Sequence, residues 1–245
     1  TSVSLRLIAR ASHAAINSAA MRPGLGLGLH LVLCEGQATL SRKHISGLVD
    51  SGGNFSSRPL EAAWLYRRRG GLREQLKAEV RAQIERFLAT GLFMTHISGH
   101  HHLHLHPTVL SILKELANDY PISAIRKPCG PMWRWTRRPT SWDRRVEGRA
   151  MRVMLGWGRL RSGVFKGPER VEPLSLERPV TEHGTAQRLA NIGAGVTELV
   201  CHPGSLLGRY DGVGEASLVT SATVRAALTD LDIELASYRE VAEGI

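Results

Sequence analysis

A run of histidines inside the chain is the feature of this sequence that bears most directly on chemistry. Residues 96–106 read His-Ile-Ser-Gly-His-His-His-Leu-His-Leu-His, so six of the eleven histidines of this 245-residue chain fall within them. Neutral imidazole is the commonest metal ligand in proteins, and it carries protons near neutral pH. Purification tags lie at termini, whereas this run is internal. We therefore expect a metal site. The alternative is a strand end that displays solvated histidines.

The elements that would position these side chains follow from the spacing of apolar residues. Leucines alternate with small or polar residues between positions 25 and 33, which is typical of a strand, whereas helical spacing recurs from Leu72 to Leu88. Alternating strands and helices favour βαβ units with a parallel sheet. Residues 163–182, rich in proline and charge, are predicted to form a long loop. The predicted helices cover residues 12–21, 72–88 and 107–116, and the predicted strands cover residues 1–7, 25–33, 93–97, 122–125 and 196–201.

Three histidines lie at or just beyond the carboxyl ends of predicted strands. They are His30, His100 and His202, and each belongs to a different strand. Parallel α/β folds place their chemistry at that edge of the sheet. A single histidine at such a position is usually structural, but three of them predict a shared site.

The charge of the chain is concentrated in one segment. The formal net charge is +10, and nine arginines lie between Arg134 and Arg161 with Trp133, Trp135, Trp142 and Trp157 among or beside them. Arginine with tryptophan suits stacking on bases or contact with an anionic membrane surface. A third interpretation is a solvated helix face whose tryptophans turn to the core. Because no RNA- or DNA-binding motif accompanies the charge, we do not expect nucleic acid as a partner.

Composition sets the class of protein. Hydrophobic residues make up 42% of the chain, which is typical of a globular protein, and no apolar run is long enough to cross a bilayer. The three cysteines are widely spaced and do not predict a disulfide framework, which favours a reducing, cytoplasmic compartment. We expect residues 1–245 to form a single α/β domain with a basic, Arg- and Trp-rich segment at 133–162.

Several segments together resemble the YdjC-like carbohydrate deacetylases over nearly the whole chain. Residues 28–33 resemble the Gly-Leu-His-Leu segment of that family, residues 96–107 resemble its histidine-rich segment, and residues 198–204 resemble its third block. The closing Ser-Tyr-Arg at 237–239 is also similar. Gly99, together with the Thr-Val-Leu that follows Pro107, is similar to the hopanoid-biosynthesis-associated (HpnK-like) branch.

The resemblance implies a distorted (β/α) barrel that hydrolyses the N-acetyl group of an amino sugar, here one carried by a hopanoid glycolipid. It also implies one divalent metal ion, bound by an aspartate and two histidines that match His30 and His100 in this chain. Zinc suits such ligands best, with magnesium as the alternative. We predict that His202 is the general acid that protonates the leaving nitrogen. Arg126 is predicted to bind a substrate hydroxyl or phosphate, and the basic segment is predicted to contact the inner face of the membrane peripherally.

The chain departs from the family at its start. The family begins with a strand that ends in Asp-Asp-Phe-Gly, and those aspartates supply the third metal ligand and the general base. This chain begins after that unit, so the expected barrel lacks its first strand. We expect the chain to be a fragment of a longer protein. The alternative is a catalytically inactive relative that binds glycan or lipid.

Overall fold

The chain forms two compact units, which we describe separately. The structure is a computed structural model, and it describes residues 1–8, 12–67, 71–128, 153, 156–158, 160–174, 181–202 and 212–244. The first unit comprises residues 1–127, 141–167 and 237–245, and the second comprises residues 128–140 and 168–236. In the described ranges, no helix combines the length and the apolar character that crossing a bilayer requires.

A parallel sheet organises the first unit. Its strands, in the order β1-β2-β3, are β1 (Ser2–Leu5), β2 (Gly26–Leu31) and β3 (Met94–Gly99). The register pairs His30 with Ser98, so the carboxyl ends of β2 and β3 lie side by side. These strands confirm the predicted parallel arrangement. The predicted strand at 122–125 is present only as isolated parallel bridges at Ala124 and Ile125.

The helices match the sequence prediction closely where apolar periodicity is strong. The segments predicted at 12–21, 72–88 and 107–116 are helices with nearly those bounds, and shorter helices occupy less periodic stretches. A 3₁₀ helix covers His100–Leu105. The α-helices are α1 (Ser12–Ala20), α2 (Arg42–Ile45), α3 (Pro59–Tyr66), α4 (Gly71–Leu88), α5 (Pro107–Leu116), α6 (Glu182–Ala190), α7 (Gly212–Thr220), α8 (Ala222–Asp230) and α9 (Tyr238–Glu243).

Helix α4 fixes the chain that continues beyond β2. Its buried Gln83 bonds both backbone groups of Val32, accepting from the N–H at 2.9 Å and donating to the carbonyl at 2.8 Å. Glu79, also buried, accepts from the backbone N–H groups of Thr39 (2.8 Å) and Leu40 (2.9 Å). Buried backbone groups need such partners. These bonds therefore hold both ends of the loop at 33–40 against the helix.

The carboxy-terminal helix α9 is tied to the same sheet through a buried histidine. The rings of His96 and Tyr238 stack with centroids 3.8 Å apart and an interplanar angle of 10°. The backbone N–H of Tyr238 also donates to Ser2 Oγ at 3.0 Å. Gly28 is required opposite this stack, because a Cβ at that position would overlap the His96 ring.

The second unit contains a two-stranded parallel sheet. Strands β4 (Arg170–Pro173) and β5 (Thr197–Val200) pair in parallel, with α6 between them in sequence. The prediction of a long loop at 163–182 is therefore wrong at β4. Strand β4 has only four residues, and Val171 is its one buried apolar residue. A single apolar residue cannot show the alternation by which a strand is recognised in a sequence. One hydrophobic cluster of this unit comprises the buried residues Leu174, Leu189, Leu218 and Val224.

The observed class is mixed α/β with parallel sheets, as predicted. Closure of the strands into a distorted barrel remains a prediction.

Candidate metal centre

Glu35 lies in the loop just beyond β2, and its backbone is firmly held. It adopts a left-handed conformation with φ of 50°, which is uncommon outside glycine. Its N–H donates to Ser56 O at 3.0 Å, and its carbonyl accepts from Arg6 Nη2 at 2.8 Å. These two hydrogen bonds hold the left-handed backbone of Glu35 in place.

The histidine run starts where β3 ends, and its backbone reverses at once. His101 and His102 have left-handed φ values of 49° and 57°. In an extended strand, side-chain alternation would place His102, His104 and His106 on the face of His100, and this reversal breaks that alternation. The reversal brings two imidazoles to one carboxylate: Glu35 Oε2 lies 3.3 Å from His100 Nε2 and 3.2 Å from His101 Nε2.

These three residues form a candidate cation site. Glu35, His100 and His101 each offer one ligand atom, and these atoms all lie within 4.8 Å of one another. The first two side chains are half-buried, and that of His101 is more exposed. Imidazole nitrogens and a carboxylate oxygen are donors that a divalent ion such as Zn²⁺ accepts. The donor types therefore fit the group that the sequence predicts.

His30 lies beside this cluster. Its ring centroid is 5.8 Å from that of His100, with the two planes at 70°. His30 Nδ1 lies 2.9 Å from Ser98 Oγ, on the neighbouring strand. A hydrogen bond at one ring nitrogen fixes the ring and leaves the other, Nε2, to face a ligand. Thus the two histidines that the sequence proposed as ligands are brought close together.

Burial keeps these imidazoles neutral. It is the largest cause that lowers the pKa of His30, followed by the positive charge of Arg126. Burial also lowers the pKa of His100, followed by the charge of His101, and Glu35 offsets part of that effect. Partial burial raises the pKa of the Glu35 carboxyl, but His101 and His100 outweigh it, so that pKa lies below its ordinary value. Neutral nitrogens beside an ionised carboxylate are the forms that ligate metal.

The later histidines of the run are engaged in the core. His104 is 0% exposed, and its Nε2–H donates to the carbonyl of Arg126 at 2.7 Å. Its ring packs against Gly99, where a Cβ would lie 2.7 Å from His104 Nδ1. His106 caps α5 by accepting from the N–H of Thr108 at 3.2 Å. The hydrogen bonds of His104 and His106 therefore hold the backbone that follows the cluster of Glu35, His100 and His101.

Arg126 lies within the same unit, next to the last isolated bridge of the sheet. Its N–H donates to Ile97 O at 3.0 Å, and its charge contributes to the lowered pKa of His30. A role for Arg126 in binding substrate remains a prediction.

His202 belongs to the second unit, where it follows β5. Its backbone N–H donates to Glu215 Oε2 at 2.5 Å, and its Nδ1 lies 3.9 Å from the same oxygen. The side chain is 52% exposed. The carboxylate of Glu215, from α7, thus fixes the chain at the end of the strand. Catalysis by His202 remains a prediction.

Most of the basic segment at 133–162 lies outside the described residues, including Trp133, Trp135 and Trp142. Within the described part, Trp157 is exposed, and the guanidinium carbon of Arg161 lies 5.5 Å from its ring centroid.

A comparison with known families covers most of the chain. The profile described as "YdjC-like protein" matches residues 1–230. The chain belongs to the YdjC-like family. This match confirms the predicted membership of the YdjC-like family, which was based on residues 28–33, 96–107 and 198–204. Membership of the hopanoid-associated branch remains a prediction.

Relatives of this YdjC-like protein are named carbohydrate deacetylases. The protein from Brevibacillus brevis is 35% identical over 128 residues, which cover 50% of this chain and 46% of the relative. The protein from Geobacillus stearothermophilus is 37% identical over 128 residues, 51% of this chain and 49% of the relative. In these two comparisons the chain spans about half the length of the relative. The protein from Clostridium beijerinckii is 26% identical over 253 residues, 98% of this chain and 88% of the relative.

A solved structure shares the fold of this YdjC-like protein. It is the crystal structure of a proposed cellobiose-phosphate cleavage protein from Enterococcus faecalis, matched with a TM-score of 0.69 over 98% of this chain and 87% of the other. At 22% sequence identity, this likeness shows the fold alone.

Proposed function

We propose that this YdjC-like protein is a metal-dependent hydrolase that removes the N-acetyl group from an amino sugar. The observation that carries the proposal is the cluster of Glu35, His100 and His101, with His30 beside it, at the carboxyl ends of β2 and β3. Parallel sheets place their chemistry at this edge. The relatives named carbohydrate deacetylases supply the reaction and the substrate class.

The metal ion would be held by His30 and His100, with Glu35 as the carboxylate ligand and His101 as a further donor. Zinc is the ion that we propose, and magnesium is the alternative. Such an ion polarises an acetyl carbonyl and lowers the pKa of a water molecule. Glu35 is the carboxylate that the described residues bring to the histidines, so this chain carries an oxygen donor of its own.

Two further residues complete the proposal. Arg126, whose positive charge contributes to the lowered pKa of His30, would bind a substrate oxygen. His202 would donate a proton to the departing nitrogen, with Glu215 holding the chain at that point. Amide hydrolysis needs such an acid because the free amine anion is a poor leaving group.

The substrate carrier that we propose is a hopanoid glycolipid, on the resemblance of Gly99 and the residues after Pro107 to that branch. Gly99 also packs against His104, and this contact is independent of the substrate. We further propose that residues 1–245 form one deacetylase domain with the expected barrel. This domain would work in the cytoplasm, with the basic segment at 133–162 touching the anionic inner face of the membrane.

The test is release of acetate. The protein is supplied with zinc or magnesium and incubated with N,N′-diacetylchitobiose or with an N-acetylglucosaminyl lipid in anionic vesicles. We expect acetate with at least one metal, and faster release from the lipid if the carrier is a hopanoid glycolipid. Sugar or lipid binding without any acetate would reject the proposal in favour of the non-catalytic relative.

A further inference from the structure

An open groove lies beside α3 in the first unit. Its volume is about 600 Å³, within the range of small-molecule sites. The metal centre described above does not use it. The lining residues are Ser56, Glu61, Trp64, Leu65 and Arg67.

An exposed indole is one of the surfaces that line this groove. Trp64 is 59% exposed, although tryptophan is usually well buried, and its neighbours Ala62, Ala63 and Tyr66 on α3 are buried. The guanidinium carbon of Arg67 lies 5.2 Å from the Trp64 ring centroid. This cation–π contact restrains the ring, and the exposed indole forms part of the groove lining.

Hydrogen-bonding groups surround the indole. Ser56 Oγ donates to Glu61 Oε2 at 2.9 Å, and Arg58 pairs with Glu61 Oε1 at 2.5 Å. Carboxylate, hydroxyl and guanidinium groups around one aromatic face can both donate and accept. A ligand with many hydroxyl groups and one apolar face fits this combination.

The groove is joined directly to the loop that carries Glu35. The carbonyl of Ser56, which lines the groove, accepts from the backbone N–H of Glu35 at 3.0 Å. From α3, the Tyr66 hydroxyl donates to the carbonyl of Leu33, two residues before Glu35. On its other side, α3 is held by Thr108 Oγ1, which donates to Tyr66 O at 2.8 Å. These hydrogen bonds therefore connect the residues that line the groove to the loop that carries the Glu35 carboxylate.

We infer that this groove is a binding subsite for a pyranose ring, with Trp64 as the stacking platform. One face of a pyranose presents C–H groups, whose partial positive charge suits the negative face of an indole. The occupant is a sugar unit linked to the one that loses its acetyl group, and its hydroxyl groups meet Ser56, Glu61 and Arg67. The inference rests on the proposed action on an amino sugar.

The test compares a disaccharide with a monosaccharide. Binding of N,N′-diacetylchitobiose and of N-acetylglucosamine is measured by titration calorimetry, with the full chain both zinc-loaded and metal-free. We expect Trp64→Ala to weaken disaccharide binding about tenfold and to leave monosaccharide binding within about twofold. Trp64→Phe, which keeps an aromatic face, should recover most of the loss.

Phe93→Ala is the matched control. Phe93 is 60% exposed and lies under the guanidinium carbon of Arg239 at 4.6 Å, so it reproduces the exposure and the cation–π contact of Trp64 outside the groove. We expect it to bind both sugars like the unaltered chain. The subsite is overturned if Trp64→Ala binds the disaccharide within about twofold of the unaltered chain, or if the unaltered chain binds no disaccharide with or without zinc. Because binding is measured without turnover, a chain that releases no acetate can still show the subsite.

Discussion

Two groups of histidines lie in the same unit, and their surroundings differ sharply. In the first group, His100 and His101 each place Nε2 near the Glu35 carboxylate, and the His30 ring lies beside that of His100 with its Nδ1 bonded to Ser98 Oγ. The second group is buried, and its ring nitrogens bond serine, backbone carbonyl or backbone N–H groups of the core. The site group is His30, His100 and His101, and the buried group is His96, His104 and His106.

This contrast shows that histidines close together in the sequence do not all face the same candidate metal site. His101 and His104 are only three residues apart, yet one side chain faces Glu35 and the other is fully enclosed. The left-handed turn at His101 and His102 separates them. Local backbone geometry, more than residue type, therefore decides which rings face a cation.

The largest effect that we expect separates the two groups directly. His100→Ala should lower zinc affinity by at least about a thousandfold, because loss of a ligand costs more than loss of a supporting contact. Zinc affinity is measured by competition with a chromophoric chelator. The cobalt-loaded protein gives a second readout, since the visible bands of bound Co²⁺ should disappear.

The control for this variant is His104→Ala, from the buried group. It should keep zinc affinity within about threefold, but lower the free energy of unfolding by about 2–4 kcal/mol, because it leaves a cavity and removes the hydrogen bond from His104 to the Arg126 carbonyl. If His104→Ala lost the metal and His100→Ala kept it, our division of the histidines would be wrong.

A second prediction concerns acid stability. Burial, followed by the charges of Arg126 and His104, lowers the pKa of His96 from 6.5 to about 3. Between these values the unfolded chain binds a proton that the folded chain does not, so stability should fall as the pH falls. We expect the metal-free protein to lose on the order of 2–4 kcal/mol over that window, as measured by urea unfolding.

Replacing the His96 ring should remove only its share of this dependence on pH, because burial also lowers the pKa of His104 and of His106 to about 4. His96→Gln should flatten the slope of unfolding free energy against pH, even if it also lowers stability at neutral pH. The exposed His13 on α1 is the matched control, and His13→Gln should leave the slope unchanged. An equal slope in His96→Gln and in the unaltered chain would assign the acid sensitivity to other groups.

The smallest expected effect concerns His101, an exposed histidine of the site group. The side chain of His101 is 38% exposed and lies 3.2 Å from the carboxylate that His100 also approaches. We therefore expect His101→Ala to lower zinc affinity only about tenfold, as for a peripheral donor. A loss as large as that of His100→Ala would make His101 a primary ligand, and no loss would remove it from the set.

Much of the fold was predictable because it depends on local periodicity. The strand around residues 25–33 and the helix at 72–88 each show an apolar repeat that matches one element, and the strand at 93–97 was predicted as a short apolar segment. Strand β4 was missed, since four residues are too few for a repeat to stand out. The segment at 122–125 was overestimated, because its pairing is limited to single bridges.

The candidate site was predictable only in part. His30 and His100 are marked by their places at strand ends, and the structure brings their rings to 5.8 Å. Glu35 was missed, although one signal was present: it is an acidic residue that closely follows the strand of His30. Its left-handed backbone depends on bonds to Ser56 and Arg6, which no local pattern reveals.

The sequence by itself determined the secondary structure of the periodic segments, the placement of histidines at strand ends and the family of the chain. The tertiary structure alone decided which histidines are buried and which carboxylate they meet. The physical reason is distance along the chain. Glu35 and His100 are 65 residues apart, and their meeting depends on the register of β2 with β3 and on the bonds that α4 makes to the loop.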